Sequence, residues 1–181
     1  MRTGIVGVLI LVAASTGWGQ GPPAHSFAIG AGYLRQYGGG GIGLHAEYNW
    51  HLSPRLAVGL PVRLGWSSVG ANPGKRRSFM VGGQVRLMAP ARPGQASPFI
   101  GAAVLAISSS VPDVASVYAP GTVAANDAVG TEWGYGMALD AGVELARTGK
   151  VGLRLDASAI YQYVYQNNSD VSWTLGASIV F

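Results

Sequence analysis

The chain contains few residues that could carry out chemistry. Cysteine is absent, so the sequence offers no thiol nucleophile, disulfide or cysteine-based metal site. Its histidines are His25, His45 and His51, and none is predicted to lie within hydrogen-bond reach of a serine, as a Ser-His-acid arrangement requires. His45 and Glu47 are two candidate ligands, fewer than the four of a structural zinc site. The sequence therefore predicts no catalytic residue, no metal site and no cofactor.

Charge is scarce throughout the chain. Charged residues make up 11% of the 181 residues, whereas hydrophobic residues make up 49%, a balance that excludes a disordered chain. It also argues against an ordinary soluble domain, whose surface is usually rich in charge. The net charge is +4, but the longest basic run is Lys75-Arg76-Arg77, so no nucleic-acid partner is expected.

Apolar and polar residues alternate along most of the chain. Between Thr131 and Leu145, every second residue from Trp133 onward is large and apolar or Ala, and the intervening positions hold mainly Gly, Asp and Glu. Such alternation predicts a β-strand, because a helix would spread both sets around its circumference. The same pattern predicts strands over 42–50, 56–66, 79–88, 131–145, 151–163 and 171–181, with Ile160 as an exception on the polar face. Segments 27–37 and 99–107 are apolar or small on both faces and bring the count to eight.

The two faces of these strands differ in chemistry. The apolar face is large and nearly uncharged, whereas the other face holds Gly, Ser and scattered charges, which suits a barrel with a lipid-facing wall and a narrow polar interior. Connections 51–55, 89–96 and 146–150 are mostly short, and connections 36–41, 67–77, 108–130 and 166–170 include the longest. These features predict an all-β, eight-stranded antiparallel up-and-down transmembrane β-barrel. The inward charges are Glu47, Arg63, Arg86, Glu132, Asp140, Glu144, Arg154 and Asp156.

Aromatic residues gather near both ends of the predicted strands. Such girdles are typical of the two interfaces of a membrane barrel. One set is Trp66, Phe79, Trp133, Tyr163, Tyr165 and Trp173, and the other is Phe27, Tyr48, Trp50 and Phe181.

The N-terminus has the pattern of a secretory signal peptide. Arg2 is followed by an apolar run over residues 4–14 and then by small residues, and this run is too short to anchor the chain in a bilayer. We therefore expect residues 1–19 to be a signal peptide and residues 20–181 to form the barrel domain.

The last strand ends on an alternating apolar pattern. Its outward residues are Trp173, Leu175, Ala177, Ile179 and Phe181. This ending resembles the signal that the barrel-assembly machinery recognises in bacterial outer-membrane proteins. The whole chain resembles the small eight-stranded outer-membrane barrels of the OmpA-like and OmpX-like class. The resemblance implies an outer-membrane location, contact with membrane lipid and the assembly machinery as a partner.

This class includes enzymes as well as barrels without enzymatic activity. The lipid A palmitoyltransferase and deacylase barrels rely on a catalytic His near the outer leaflet together with a Ser. None of the three histidines here is predicted at such a position, which disfavours a lipid-modifying enzyme. We therefore expect a structural or surface-interaction barrel whose interior charges plug the lumen. A narrow channel for ions or small solutes is the alternative.

The longer connections provide candidate contacts outside the membrane. The segment from Ser109 to Val129 is expected to be a surface loop that could bind an extracellular partner. Lys75, Arg76 and Arg77 are expected in a neighbouring loop, either as a contact for lipopolysaccharide phosphates or as a solvated charge run that needs no ligand. The run from Gly38 to Gly41 is expected to be a hairpin tip.

Arg154 is predicted to be the centre of the interior charges. A three-residue turn at Arg147-Thr148-Gly149 would place Gly142 opposite Arg154 and Asp140 opposite Asp156. Arg154 would then lie diagonal to Glu144 and Asp140, both within reach of its side chain.

Overall fold

The structure, a computed structural model, describes residues 25–36, 39–69, 72–89, 96–111, 130–145, 151–164 and 168–181. The predicted signal peptide lies outside these residues. The described chain forms eight strands: β1 (His25–Gln36), β2 (Gly39–Ser53), β3 (Leu56–Val69), β4 (Asn72–Met88), β5 (Ser97–Val111), β6 (Gly130–Glu144), β7 (Gly152–Val164) and β8 (Asn168–Val180). No helix in this part of the chain is long and apolar enough to cross a membrane.

The strands form a closed barrel in sequence order. Each strand pairs antiparallel with the next, and β8 returns to pair with β1. At the closing seam, Phe27 and Phe181 exchange backbone hydrogen bonds of 3.2 and 2.8 Å. Closure pairs the strand edges, as a hydrocarbon environment requires. The predicted eight-stranded antiparallel barrel is therefore confirmed.

The side chains alternate between the lumen and the outer wall. On β6, for example, Leu139 is 69% exposed, whereas its neighbours Ala138 and Asp140 are 1% and 6% exposed. The outer wall carries exposed large apolar side chains on all eight strands, as expected of a wall that faces lipid. Below, the outer end means the end at which residues 37–38, 70–71, 112–129 and 165–167 connect the strands; the inner end carries His25 and Phe181.

The described residues of the predicted aromatic girdles lie at the expected ends of the strands with one correction, and Tyr165 lies outside the described residues. Trp66, Trp133 and Trp173 are exposed on the wall toward the outer end. Phe27, predicted in the inner girdle, is instead buried, because its ring stacks on that of Phe181 with centroids 6.4 Å apart.

The strands extend further toward the outer end than the sequence predicts. Gly39–Gly41, expected in a hairpin tip, belongs to β2, and most of the loop expected over 67–77 belongs to β3 and β4. Glycine at position 41 allows β2 and β3 to approach each other closely here. A Cβ on Gly41 would lie only 2.6 Å from the Cα of Ser67 on the paired strand. Strand β5 likewise continues to Val111, and the expected ligand-binding segment 112–129 lies outside the described residues.

Candidate functional site

The inner half of the lumen contains a network of charged side chains around Glu47. Arg86 binds Glu47 through two hydrogen bonds of 2.6 and 2.8 Å, and Arg154 donates a further one to the same carboxylate. Asn49 and Gln84 add amide donors at 2.9 and 3.3 Å. All five side chains are buried, and Glu47, the most exposed of them, is only 7% exposed. A buried carboxylate held by two guanidinium groups is compensated in both charge and hydrogen bonding.

The network places Glu47, and not Arg154, at its centre. The predicted register at the β6–β7 hairpin is wrong by two residues: Arg154 lies opposite Glu144, and Gly142 lies opposite Asp156. Arg154 consequently donates to Glu144 at 3.3 Å, while its other Nη atom reaches across the lumen to Glu47. The turn itself, expected at 147–149, lies outside the described residues.

Asp140 pairs with a different arginine from the one predicted. Arg63 Nη2 donates to Asp140 Oδ1 at 2.7 Å, and Ser158 donates to the same oxygen. The β6–β7 register explains the change, because it puts Ser158 opposite Asp140. Arg154 lies opposite Glu144, two positions from the partner that the sequence predicted. Asp140 Oδ2 has no hydrogen-bond partner among the described residues and lies beside a cavity of about 40 Å³ in the lumen. Such a volume suits a few water molecules.

Phe99 supports the arginines from within the lumen. The Cζ atoms of Arg86 and Arg154 lie 4.4 and 5.3 Å from the centre of its ring, within the range of a cation–π interaction. The ring occupies the space beside Gly142, where a Cβ would lie 2.7 Å from Phe99 Cζ. Because β5 is apolar or small on both faces, its sequence did not indicate which face points into the lumen. Phe99 was therefore not predicted as a lumen residue.

The structure brings together seven of the eight predicted inward charges. Glu132 is the exception, because it lies toward the outer end of β6, opposite Ser109. We call the other seven the charged layer: Glu47, Arg63, Arg86, Asp140, Glu144, Arg154 and Asp156.

His45 contacts a serine that the sequence did not associate with it. His45 Nε2 lies 2.6 Å from Ser178 Oγ, and Ser178 Oγ lies 3.3 Å from Asp156 Oδ1. The barrel closure causes this contact, because it brings β8 beside β1, where the His45 ring packs against Gly30 and Gly176. The expectation that no histidine lies within reach of a serine is therefore wrong.

The His45 arrangement nevertheless differs from a catalytic triad. In a triad, one ring nitrogen contacts the nucleophile and the other contacts the acid. Here Asp156 Oδ1 lies 3.8 Å from the same Nε2 atom that contacts Ser178, and Ser178 is 2% exposed. The described residues also contain no group of three or more potential ligands that could hold a metal ion.

A second layer of apolar side chains, contributed by β4 to β7, lines one side of the lumen on the outer side of the charged layer. It contains two of the largest fully buried side chains, Leu105 and Ile107. Ile107 packs where Gly136 leaves room, since a Cβ there would lie 2.8 Å from Ile107 Cδ1. We call it the apolar layer: Met80, Ala103, Leu105, Ile107, Ala138 and Ile160. Two features of the sequence pointed to this apolar layer. Ile160 is an apolar residue on an otherwise polar face, and the β5 segment is apolar on both faces.

The basic run is divided between the two faces of β4. Because it lies in a strand and not in the expected loop, its side chains alternate. Arg76 is buried in the lumen, where its Nε donates to Ser109 Oγ at 2.6 Å, so it is not available to lipid outside the barrel. Arg77 is exposed on the outer wall. The side chain of Lys75 lies outside what the structure describes.

The predicted assembly signal lies on the outer wall of β8. Trp173, Leu175, Ala177, Ile179 and Phe181 are all exposed, on the face that points away from the lumen.

Three solved structures share this architecture. Neisserial surface protein A (NspA) has a TM-score of 0.62 and 15% sequence identity, over 86% of this chain and 94% of its own. The outer membrane enzyme PagL has a TM-score of 0.58 and 13% identity, over 86% and 98%. The N-terminal β-barrel domain of Pseudomonas aeruginosa OprF has a TM-score of 0.54 and 14% identity, over 86% and 97%.

No protein-family model matches the chain, and no curated protein matches its sequence. At these identities the structural comparisons establish the fold, and one of the proteins that share it is an enzyme. Together with the apolar outer wall, they show that this chain is a transmembrane β-barrel of the small, eight-stranded outer-membrane type.

Proposed function

We propose that the chain is a non-enzymatic outer-membrane barrel with a closed lumen and a structural or surface-interaction role. The observation that carries this proposal is the presence of two layers of buried side chains in one narrow lumen. The charged layer spans the lumen from β2 to β7 through Glu47 and Arg154, and the apolar layer follows it toward the outer end. An eight-stranded barrel is just wide enough for its side chains to fill.

The alternative function is a narrow channel, and the two layers argue against it for different reasons. Arginines and carboxylates that bind each other across the lumen are not free to bind a passing ion. The apolar layer adds a barrier along its side of the lumen, because its side chains offer no group to replace the water that an ion would lose. We therefore expect the wild-type barrel not to conduct.

Conductance in planar lipid bilayers tests this proposal. The refolded wild type should give no discrete current steps, whereas a Leu105→Ala, Arg154→Ala double variant, which thins both layers, should leak. Each sample is first shown to be folded by its different migration on a detergent gel before and after boiling. Regular current steps from the wild type would contradict the closed lumen and support the channel.

A surface role is supported by the outer ends of the longest strands. Strands β2, β4, β5 and β6 have 15, 17, 15 and 15 residues, more than the roughly 9–11 that cross a bilayer. Beyond Trp66 and Trp133, the outward positions change from apolar residues to Ser and Thr, as at Ser68, Ser110 and Thr131. This polar extension would present the barrel to the cell exterior.

The absence of cysteine allows a direct test of this exposure. A Thr131→Cys variant should react with a membrane-impermeant maleimide on intact cells. A matched Ser53→Cys variant, in the turn at the inner end, should react only after lysis. The reverse pattern would contradict the orientation that a surface role requires.

A lipid-modifying enzyme is disfavoured by burial of the two serines that contact a histidine within the described residues. Ser178 beside His45 is 2% exposed, and Ser26 beside His51 is 3% exposed. Incubation of the refolded protein with lipid A should therefore give no deacylated or acylated product. Product that disappears in a Ser178→Ala variant would overturn this assignment.

Two partner proposals follow from the outer wall. Arg77 is the exposed member of the basic run and is our candidate contact for lipopolysaccharide phosphates. The outward residues of β8, which end at Phe181, are our candidate signal for the barrel-assembly machinery.

A further inference from the structure

The outer wall contains an apolar groove that crosses four strand boundaries. It has a volume of about 560 Å³ and runs from β8 to β4. Its floor is formed by Ala102, Ala141, Ala157 and Ala159, and larger side chains such as Trp173 rise at its edges. The side chains of this floor end at Cβ, so the wall here is concave where neighbouring parts carry Leu, Val or aromatic residues.

The groove descends from the outer end of the barrel toward the inner end. Successive residues along one edge are register partners on neighbouring strands: Trp173 pairs with Ala159, Ala159 with Leu139, and Leu139 with Ala102. Trp173 lies five residues from the outer end of β8, whereas Ala102 lies nine residues from the outer end of β5. A long, flexible apolar chain that enters from the outer interface would follow this path.

A positive charge lies at the upper end of the groove. Arg35 is exposed on the outer wall of β1, and its register partner on β8 is Trp173. Tyr33, two positions below on the same face, is also exposed. Within the described side chains of the outward-facing strand positions, only Arg35 and Arg77 carry a charge, and Arg35 has no ion pair there. A charge on a lipid-facing wall is favourable only near the interface, where it can meet an opposite charge.

We propose that Arg35 and the groove form a binding site for one membrane lipid that carries a phosphate and acyl chains. The guanidinium group of Arg35 binds the phosphate at the outer interface, and one acyl chain lies over the alanine floor beneath Trp173. An apolar occupant is required because the groove opens to hydrocarbon, and an anionic head is required by Arg35. A lipid combines both features. The site lies outside the barrel, so it does not depend on whether the lumen conducts.

Quenching of Trp173 fluorescence tests this site. In a protein with Trp18, Trp50, Trp66 and Trp133 replaced by Phe, Trp173 is the single tryptophan. The bilayers contain a small fraction of lipid with brominated acyl chains, which quench a nearby Trp. Phosphatidylglycerol, which is anionic, is compared with phosphatidylcholine of the same chains. One arginine near the membrane surface predicts an apparent affinity about fivefold higher for the anionic lipid.

Matched variants separate the two parts of the site. Arg35→Gln should abolish the preference for phosphatidylglycerol, whereas Arg55→Gln, the same change in the turn at the inner end, should preserve it. Ala159→Leu, which fills the groove, should lower quenching by both lipids. Ala106→Leu, the same change on the outer wall outside the groove, should not.

Three outcomes would overturn the proposal. The first is equal quenching by both lipids in the protein that keeps Arg35 and Ala159. The second is loss of the preference in Arg77→Gln but not in Arg35→Gln, which would indicate a different phosphate contact. The third is a dimer, detected by cross-linking in the same bilayers, that protects Trp173 from both lipids, because a second copy of the chain would then occupy the groove.

Discussion

The charged and apolar layers fill the same lumen through different kinds of contact. In the charged layer, the main contacts join strands that do not pair: Glu47 on β2 binds Arg154 on β7, and Arg63 on β3 binds Asp140 on β6. In the apolar layer, the contacts join register partners on neighbouring strands, such as Met80 with Ile107 and Ala138 with Ile160. The charged layer therefore depends on closure of the whole barrel, whereas the apolar layer extends along one side of it.

The two layers should also respond differently to mutation. Removing one member of a buried charge network leaves its partners uncompensated, so the loss depends on how many partners the residue has. Removing an apolar side chain leaves a cavity, so the loss depends on the volume removed. Four predictions test this difference.

The largest effect is expected for Glu47→Ala. This change leaves Arg86 and Arg154 buried without their shared carboxylate and should lower the free energy of unfolding by about 3–5 kcal/mol. Urea midpoints of the protein refolded in detergent measure the loss. Arg154→Ala should cost less, because Glu47 keeps both hydrogen bonds from Arg86.

Glu132→Ala is the control for this comparison, because Glu132 faces inward at the outer end and lies outside the charged layer. It should shift the midpoint little. If Glu47→Ala and Glu132→Ala unfold at the same midpoint, Glu47 does not organise the inner lumen.

In the apolar layer, Leu105→Ala should destabilise the barrel by about 2–5 kcal/mol, because Leu105 is 1% exposed and its removal leaves a cavity. The loss should be the same at low and high salt, unlike a loss of exposed charge. Val104→Ala, the adjacent outward position, is the matched control and should cost much less, since lipid replaces the lost methyl groups. Equal losses would mean that the inner face of β5 is not tightly packed.

A smaller effect is expected at the edge of the charged layer. His45→Ala and Ser178→Ala each remove the 2.6 Å hydrogen bond between these side chains and should each cost about 1 kcal/mol. The double variant should lose less than the sum of the two single losses, because the same bond is removed once. Fully additive losses in urea unfolding would show that the contact does not stabilise the folded barrel.

The smallest effect on folded stability is expected outside both layers, for Phe181→Ala. The side chain is 38% exposed, and the backbone hydrogen bonds with Phe27 remain. We expect a near-normal urea midpoint in vitro but less surface-exposed protein in cells, because the residue serves recognition during assembly. Phe27→Ala, which removes the buried ring of the same pair, is the control and should lower stability more. A large loss of stability in Phe181→Ala would make packing its main role.

The sequence predicted the strands and their two faces because alternation is a local property. A residue two positions along a strand returns to the same face regardless of what the strand pairs with. This is why the inward orientation of Glu47, Arg86 and Arg154 could be read without knowing any contact. The pattern was weak only on β1 and β5; on β5 the interior itself is apolar, so both faces look alike.

Register and barrel closure could not be read in the same way. A change of two residues at the β6–β7 hairpin leaves every side chain on its predicted face but gives Arg154 a new neighbour, Glu144. Contacts across the lumen depend on the registers of several hairpins together, so local patterns do not predict that Glu47 meets both arginines. The meeting of His45 with Ser178 depends in addition on the pairing of β8 with β1.

The sequence by itself therefore determined the number of strands, the direction in which most side chains point and the lipid-facing character of the wall. These follow from the two-residue period of an extended chain and from the polarity of each face. Only the tertiary structure decided which charges meet, that an apolar layer lines one side of the lumen and that Arg35 lies at the end of a groove. Each of these joins residues from different strands, and their relative positions are set by register and closure.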